Sequence, residues 1–295
     1  MNREAIDCMD YYARPFGLTE AGAYQDQLAA LPRERGPLAK AIHGLLIHQS
    51  WTGRYQVTPE RAQMDGPHLR PVTDLIDEIF RLSPEALDVP REPASRALCV
   101  CRHYAVLAVA ALRAKGVPAR ARCGFGMYFQ RGKGVDHWVA EIYESGRWVV
   151  ADFQIDDLQR RVLRLRFDPL DQPAGKFLTA GEAWILCRSG KARSIDFGIN
   201  QEAGLWFIAM NLARDVAALR RREMLPWDDW GGLVEDDSLL TEDALQRFDD
   251  LARMTASPDE NFEALATAYD AQPGLAVPAT VFNAVRRTPE AANAG

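Results

Sequence analysis

Hydrophobic residues between positions 100 and 112 recur at a spacing of three or four, which is typical of one face of a helix. Lys115 and Gly116 supply a basic last turn and a stop signal, and Pro118 prevents continuation of the helix. Cys101 therefore lies in the first turn of a predicted buried helix. At this end the helix dipole and the backbone N–H groups favour a thiolate.

The hydrophobic period changes from about 3.6 to two directly after this helix. Apolar and polar residues alternate over positions 119–130, which predicts a strand with one buried face. Two shorter strands are expected over residues 137–143 and 148–153, joined by a turn at Ser145 and Gly146. The local order is therefore helix, strand, strand, strand.

The turn sets the register of the last two strands. If it is a two-residue or a four-residue loop, Tyr143 faces Trp148 and Val139 faces Asp152. His137 shares a strand face with Val139, so Asp152 is its diagonal neighbour. Diagonal neighbours lie roughly 7–8 Å apart, within reach of a hydrogen bond between the two side chains. The register therefore favours a His–Asp couple.

Cys101, His137 and Asp152 combine a thiol, a base that can deprotonate it and a carboxylate that can orient the base. This set of residue types indicates covalent acyl chemistry at a cysteine. The backbone N–H of Cys101 is expected to form part of an oxyanion hole. Gln49 and Trp51 carry side-chain donors that could complete it.

Several runs of residues carry a resemblance to the transglutaminase-like superfamily, roughly over positions 95–160. They are Val100-Cys101-Arg102-His103-Tyr104-Ala105, Leu112 to Arg120 with its Gly-Val-Pro-Ala-Arg end, His137-Trp138-Val139, and Trp148-Val149-Val150-Ala151-Asp152. The resemblance implies an α+β fold, with a nucleophile helix packed on an antiparallel sheet in a cysteine-protease-like core. It also implies a papain-like Cys-His-Asp arrangement, with the cysteine at the helix start and the other two on the following strands.

These features predict a cysteine-dependent acyl-transfer enzyme that acts on an amide, an ester or a thioester. Its substrate is expected to be a peptide, an amide or an acyl thioester, including an acyl group bound to a carrier protein. Water as the acceptor makes it a hydrolase, whereas an amine makes it a transamidase or amide synthase. A non-catalytic binding or regulatory protein is the alternative, and redox switching by Cys99 and Cys101 is a third.

Other chemistry-bearing residues are assigned lesser roles. Trp138, Trp227 and Trp230 are candidates for the substrate pocket, although a packed loop explains the last two as well. The pair Cys99 and Cys101 has no second cysteine cluster to complete a metal site, so neither a metal nor a cofactor is expected.

Composition limits the setting of the protein. A net charge of −6 over 295 residues argues against general nucleic-acid binding. The longest apolar run, residues 106–112, is too short to cross a membrane, and the N-terminus does not resemble a signal peptide. Five scattered cysteines are typical of a reducing cytoplasm. The oligomeric state is not predicted.

The chain is expected to hold one α+β domain over residues 1–234, followed by C-terminal helices and a frayed tail over 235–295. Within the domain, residues 1–90 are helical, 91–160 form the catalytic core and 161–234 are mixed and helical. Helical patterns cover residues 21–31, 38–51, 72–82, 180–187, 201–224, 239–254 and 261–269. Residues 288–295 are expected to fray.

Overall fold

The structure is a computed structural model, and it describes residues 7–231 and 236–292. The chain forms two compact units. Within the described residues, the first unit comprises 7–121 and 139–172, and the second comprises 122–138, 173–231 and 236–292. The predicted division into 1–234 and 235–295 stays a prediction.

Residues 7–163 form eleven helices and strands, seven before residue 119 and four from residue 119 onwards. In chain order they are α1 (Cys8–Ala13), α2 (Gln25–Ala30), α3 (Arg35–Leu45), β1 (Leu46–His48), α4 (Val72–Leu82), β2 (Ala97–Cys99), α5 (Cys101–Arg113), β3 (Ala119–Gln130), β4 (Lys133–Glu144), β5 (Arg147–Ala151) and α6 (Asp157–Leu163). Short 3₁₀ turns, among them Gln49–Tyr55 and Gly66–His68, connect them.

The remaining elements belong to the second unit. They are β6 (Phe177–Thr179), α7 (Ala180–Arg188), β7 (Phe197–Ile199), β8 (Glu202–Ala203), α8 (Leu205–Leu219), β9 (Asp228–Asp229), α9 (Glu242–Ala256), α10 (Phe262–Ala271), β10 (Thr280–Asn283) and β11 (Thr288–Ala291). This mixture of helices with mainly antiparallel strands is an α+β fold, as predicted.

Helix α5 is the central element of the first unit. All of its residues are buried, and α1, α2, α3 and α4 pack against it. Helix α4 shows why these contacts form, because its buried residues Val72, Leu75, Ile76 and Ile79 recur at helical spacing on one face. The helical segments before residue 90 therefore bury apolar faces against the helix that carries Cys101.

The long strands β3 and β4 are hydrogen-bonded neighbours, and each contributes residues to both units. In the first unit β4 pairs with β5, while in the second β3 pairs with β6 and β4 runs parallel to β7. Gly124 lies opposite Thr179, and a Cβ atom there would come within 2.1 Å of the Leu178 carbonyl oxygen. Glycine at this position therefore permits a close approach of the two backbones.

Several segments differ from their predicted structure, among them the start of the helix expected over residues 201–224, where Glu202–Ala203 form strand β8. The helix expected over residues 38–51 ends at Leu45, and Leu46–His48 form strand β1 in parallel pairing with β2. The apolar run continues through both elements, so its spacing does not reveal the change. Residues expected to fray at 288–291 form β11, antiparallel to β10. Residues 293–295 lie outside the described part.

Candidate active site

Cys101 is the first residue of α5, at the point where the chain leaves β2. Val100 separates the two elements and has extended backbone angles, so it acts as the N-cap of the helix. Only 6% of Cys101 is exposed. The thiol therefore sits where first-turn N–H groups lack intrahelical partners and where the helix dipole stabilises an anion.

The segment that contains Gln49 and Trp51 lies beside this junction in the first unit. Strands β1 and β2 pair in parallel, with His48 opposite Cys99, so Gln49 leaves β1 next to the residues that lead into α5. Gln49 is exposed and Trp51 is half-buried. Their role in an oxyanion hole stays a prediction, although the pairing brings their segment to the correct end of the helix.

Asp152 directly follows β5 and is fully buried. Its Oδ1 accepts a hydrogen bond of 2.9 Å from the backbone N–H of Gln154, and its own N–H donates to the Pro169 carbonyl over 2.8 Å. These bonds hold the carboxylate and its backbone in one orientation.

The β4–β5 register is the predicted one. Tyr143 pairs with Trp148, and the pairing runs down to Ala140 opposite Ala151, so Val139 and Asp152 are the next positions along the two chains. The turn residue Ser145 has a φ of 51° and Gly146 has a φ of 81°, as a tight hairpin turn requires.

His137 lies on the part of β4 that belongs to the second unit, and 2% of it is exposed. The rings of Phe129 and Tyr128 contact it edge to face, with centroids 4.7 and 6.1 Å from the imidazole. These two aromatic residues restrict the orientation of the ring, and the alternation of residues along β3 alone does not predict this role. Their place on the adjoining strand β3 is the signal that could have found them.

Asp136 directly precedes His137, where a turn or rim position would be expected of an acidic residue. It is instead buried in the second unit, where Asn211 of α8 donates a 2.8 Å hydrogen bond from Nδ2 to Oδ1. Burial raises the pKa of Asp136, against the opposing effects of Arg214 and Asn211. A charged residue in a strand is usually exposed, and only the presence of α8 explains its position.

The predicted site residues divide between the units. Cys101 and Asp152 belong to the first unit and His137 to the second, so their convergence stays a prediction. Among the tryptophans, Trp138 is 1% exposed and its buried Nε1 has no hydrogen-bond partner among the described residues, whereas Trp230 donates from Nε1 to the Leu275 carbonyl over 3.2 Å. Trp227 is half-buried. Their contact with substrate also stays a prediction.

Cys99 and Cys101 are free thiols in different environments. Cys99 is fully buried in β2, its Sγ lies 3.5 Å from the Ile47 carbonyl oxygen, and burial raises its pKa well above the ordinary value.

Within residues 7–231 and 236–292, no group of three or more potential metal ligands is arranged to hold an ion. No helix in the same ranges is long and apolar enough to cross a membrane.

Comparison with known proteins finds a similarity over the part of the chain that contains Cys101, His137 and Asp152. Residues 80–153 match the family model of the transglutaminase-like superfamily. This stretch runs from the end of α4 through β5 to Asp152 and includes Cys101 and His137. Residues 80–153 therefore resemble a transglutaminase-like core, and the predicted resemblance is confirmed.

A crystal structure from Cytophaga hutchinsonii, provisionally named a cysteine protease, resembles part of the chain. The two share 18% identity over 52% of this chain and 43% of that one, with a TM-score of 0.31. The chain thus spans less than half the length of that protein. The sequence matches no curated protein.

Proposed function

We propose that the protein catalyses cysteine-dependent acyl transfer through a triad of Cys101, His137 and Asp152. The observation that carries the proposal is the position of Cys101 as the first residue of a buried helix within the transglutaminase-like core. A thiol at this position gains the two features that acyl chemistry needs, which are a stabilised thiolate and nearby backbone donors for an oxyanion.

In the proposed mechanism, His137 accepts the thiol proton as the sulfur of Cys101 attacks the acyl carbon. The tetrahedral intermediate collapses to a thioester when the leaving group takes that proton from His137. An incoming nucleophile then gives its proton to His137 and attacks the thioester, which releases Cys101 as a thiolate and then a thiol. Asp152 orients the imidazole throughout.

The bonds to Asp152 support its orienting role. Because Gln154 N–H and the Pro169 carbonyl hold the residue at side chain and backbone, the carboxylate has little rotational freedom. A fixed carboxylate can select one imidazole tautomer, which is the function of the third triad member. The hairpin register supports the same assignment, since Val139 and Asp152 are the next positions after the Ala140–Ala151 pair, as the predicted His137–Asp152 couple requires.

The oxyanion hole is proposed to combine the N–H of Cys101 with a donor from the Gln49 segment. Gln49 has an amide donor and Trp51 an indole N–H, and the β1–β2 pairing supports the approach of either. Replacing one such donor is expected to lower the turnover number by about 10²-fold. Separate Gln49→Leu and Trp51→Phe variants would assign the role.

The proposed substrate is a peptide, an amide or an acyl thioester, the last of which includes carrier-bound acyl groups. The experiment is a screen of these three classes with and without an added primary amine, using the unmodified chain and the Cys101→Ala, His137→Ala and Asp152→Asn variants. Amine-dependent product indicates a transamidase or amide synthase, and free acid indicates a hydrolase.

We expect the activity to require all three residues. Binding of a substrate class without turnover, unchanged in Cys101→Ala, would support the non-catalytic alternative. Activity that survives Cys101→Ala would contradict the proposal outright. A Cys99→Ala variant is the matched control, because that thiol lies two residues away but faces the core.

A further inference from the structure

His103, the third residue of α5, is fully buried and forms hydrogen bonds through both ring nitrogens. The backbone N–H of Val100 donates to its Nδ1 over 3.3 Å, and its Nε2 lies 2.9 Å from the Leu69 carbonyl oxygen. The backbone N–H of His103 donates in turn to the Val100 carbonyl over 3.0 Å. Val100 is thus held by His103 at both of its backbone polar groups, and Cys101 is the next residue.

These partners determine the tautomer of the ring. A backbone N–H only donates and a carbonyl only accepts, so Nδ1 carries no hydrogen and Nε2 carries one. Burial, followed by the neighbouring Arg102 guanidinium, lowers the pKa of His103 to about 3. The imidazole therefore remains neutral at physiological pH and remains able to accept from Val100.

The Leu69 carbonyl is itself held close to the start of α5. It follows the 3₁₀ turn Gly66–His68, which packs so tightly on β2 that a Cβ atom on Gly66 would come within 2.2 Å of the Leu98 carbonyl oxygen. The Leu69 carbonyl also accepts a hydrogen bond of 3.3 Å from Arg102 Nη1. The anchor of His103 is therefore a well-packed part of the first unit.

The N-cap residue explains why such a contact is needed. Val100 has no side-chain acceptor for the first-turn N–H groups, and its own N–H is buried at the strand-to-helix junction. A buried N–H without a partner is costly, and movement of Val100 would rotate the first turn of α5. The thiol and the N–H of Cys101 belong to that turn.

We propose that His103 is a positioning residue for the nucleophile, which it serves by fixing Val100 against Leu69 and so orienting the first turn of α5 around Cys101. The role follows from the proposed function, since it concerns the reactivity of Cys101. A neutral acceptor at this position has a second consequence. It satisfies the N–H of Val100 without placing a negative charge beside the thiolate, so the helix terminus keeps its favourable potential for Cys101.

The test compares His103→Leu with His103→Gln. Glutamine can accept from Val100 through Oε1 and donate to Leu69 through Nε2, whereas leucine can do neither. The readouts are the pH profile of Cys101 alkylation by iodoacetamide, mapped by peptide mass, and the kcat/KM of the acyl-transfer reaction. We expect alkylation of Cys101 in His103→Leu to be about tenfold slower at pH 7. His103→Gln should retain most of the rate.

A measurement on the unmodified chain covers the case in which the leucine variant does not fold. Imidazole ¹⁵N chemical shifts of His103 should show a protonated Nε2 and an unprotonated Nδ1, unchanged between pH 5 and 8. The opposite tautomer, or titration near the ordinary histidine value, would overturn the inference. Loss of reactivity in the glutamine variant equal to that in the leucine variant would also overturn it.

The two proposals fail in different ways. If the unmodified chain is active through Cys101 and a folded His103→Leu variant is equally reactive, only the role of His103 is wrong. If Cys101 of the unmodified chain is unreactive and Cys101→Ala changes nothing, the proposed function is wrong. The tautomer measurement does not depend on activity.

Discussion

Helices α5 and α7 carry cysteines at opposite ends, and the difference bears directly on thiol chemistry. Cys101 is the first residue of α5, whereas Cys187 lies in the last turn of α7, in the second unit. Burial, and next the charge of Asp196, raise the pKa of Cys187 to about 11. A helix C-terminus disfavours an anion for the same reason that an N-terminus favours one. Cys187 is therefore an internal reference thiol.

The starts of the two helices differ as well. Helix α7 begins with a capping box, in which Thr179 Oγ1 accepts from Glu182 N–H over 3.2 Å and Glu182 Oε2 accepts from Thr179 N–H over 2.8 Å. Helix α5 uses the neutral His103 at the equivalent third position. The charged cap in α7 uses the positive potential of its helix terminus, while the neutral cap in α5 leaves that potential available for another anion. The proposed anion is the thiolate of Cys101.

The largest expected effect comes from exchanging the two cysteines for alanine in turn. Cys101→Ala should lower kcat/KM for acyl transfer by about 10³-fold or more, as removal of a nucleophile does in other triads. Cys187→Ala should leave it unchanged, because that thiol remains protonated at neutral pH. Steady-state kinetics on both variants provides the measurement. Equal effects of the two substitutions on kcat/KM would show that the thiols at the two helix ends do not differ in their role in acyl transfer.

The next effect comes from giving α5 the cap chemistry of α7. In His103→Glu an acceptor for the Val100 N–H remains, but a negative charge is added beside Cys101 and the donor to Leu69 is lost. We expect iodoacetamide alkylation of Cys101 at pH 7 to be about tenfold slower or more. His103→Gln is the neutral control, and Glu182→Gln in α7 should have no effect on Cys101. Indistinguishable rates in the Glu and Gln variants would show that the charge at this position does not matter.

A third effect concerns stability in acid. The pKa of His103 is about 3 in the folded chain, against an ordinary value near 6.5, so the unfolded chain takes up this proton first. The stabilisation of the folded state by neutral His103 is complete above about pH 6.5, and it is lost as the pH falls toward 3. Between pH 6.5 and 5 the free energy of unfolding should drop by about 2 kcal/mol through this group.

His103→Gln should lack this part of the decrease, as urea titrations at the two pH values would show. Burial also lowers the pKa of His43, but that contribution is common to both proteins and cancels in the comparison. The same pH dependence in the variant and the unmodified chain would mean that His103 titrates normally.

The smallest effect belongs to the cap of α7. Thr179→Ala removes the hydroxyl that accepts from Glu182 and should cost about 1 kcal/mol of the free energy of unfolding. Alkylation of Cys101 should not change. A change in its rate comparable to that in His103→Leu would indicate that the reactivity of Cys101 follows general stability rather than its own cap.

The hairpin and the nucleophile helix were predictable from the sequence because local rules determine both. Period-two alternation and the Ser145-Gly146 turn specify the register of β4 and β5, and the structure confirms it. The helical spacing from Val100 and the Gly116 stop place α5 with nearly the observed limits. These signals act over a few residues, so no tertiary information is needed.

Other features depend on contacts between distant segments. The role of His103 requires the Leu69 carbonyl, and the burial of Asp136 requires Asn211, 75 residues later. The change from α3 to β1 at Leu46 depends on pairing with Ala97. Each is decided by packing that a periodic pattern does not encode. The cap of α7 is a local contact by comparison, since Thr179 and Glu182 are three residues apart.

Single-turnover trapping tests the central claim, that the thiolate of Cys101 attacks an acyl carbon, most directly. The unmodified chain is mixed with an activated acyl thioester, quenched in acid within one turnover, and mapped by peptide mass. We predict that the acyl group is found on Cys101, is absent from Cys187, and does not accumulate in His137→Ala. Product formation with Cys101 unmodified throughout, and at the same rate in Cys101→Ala, would contradict the account.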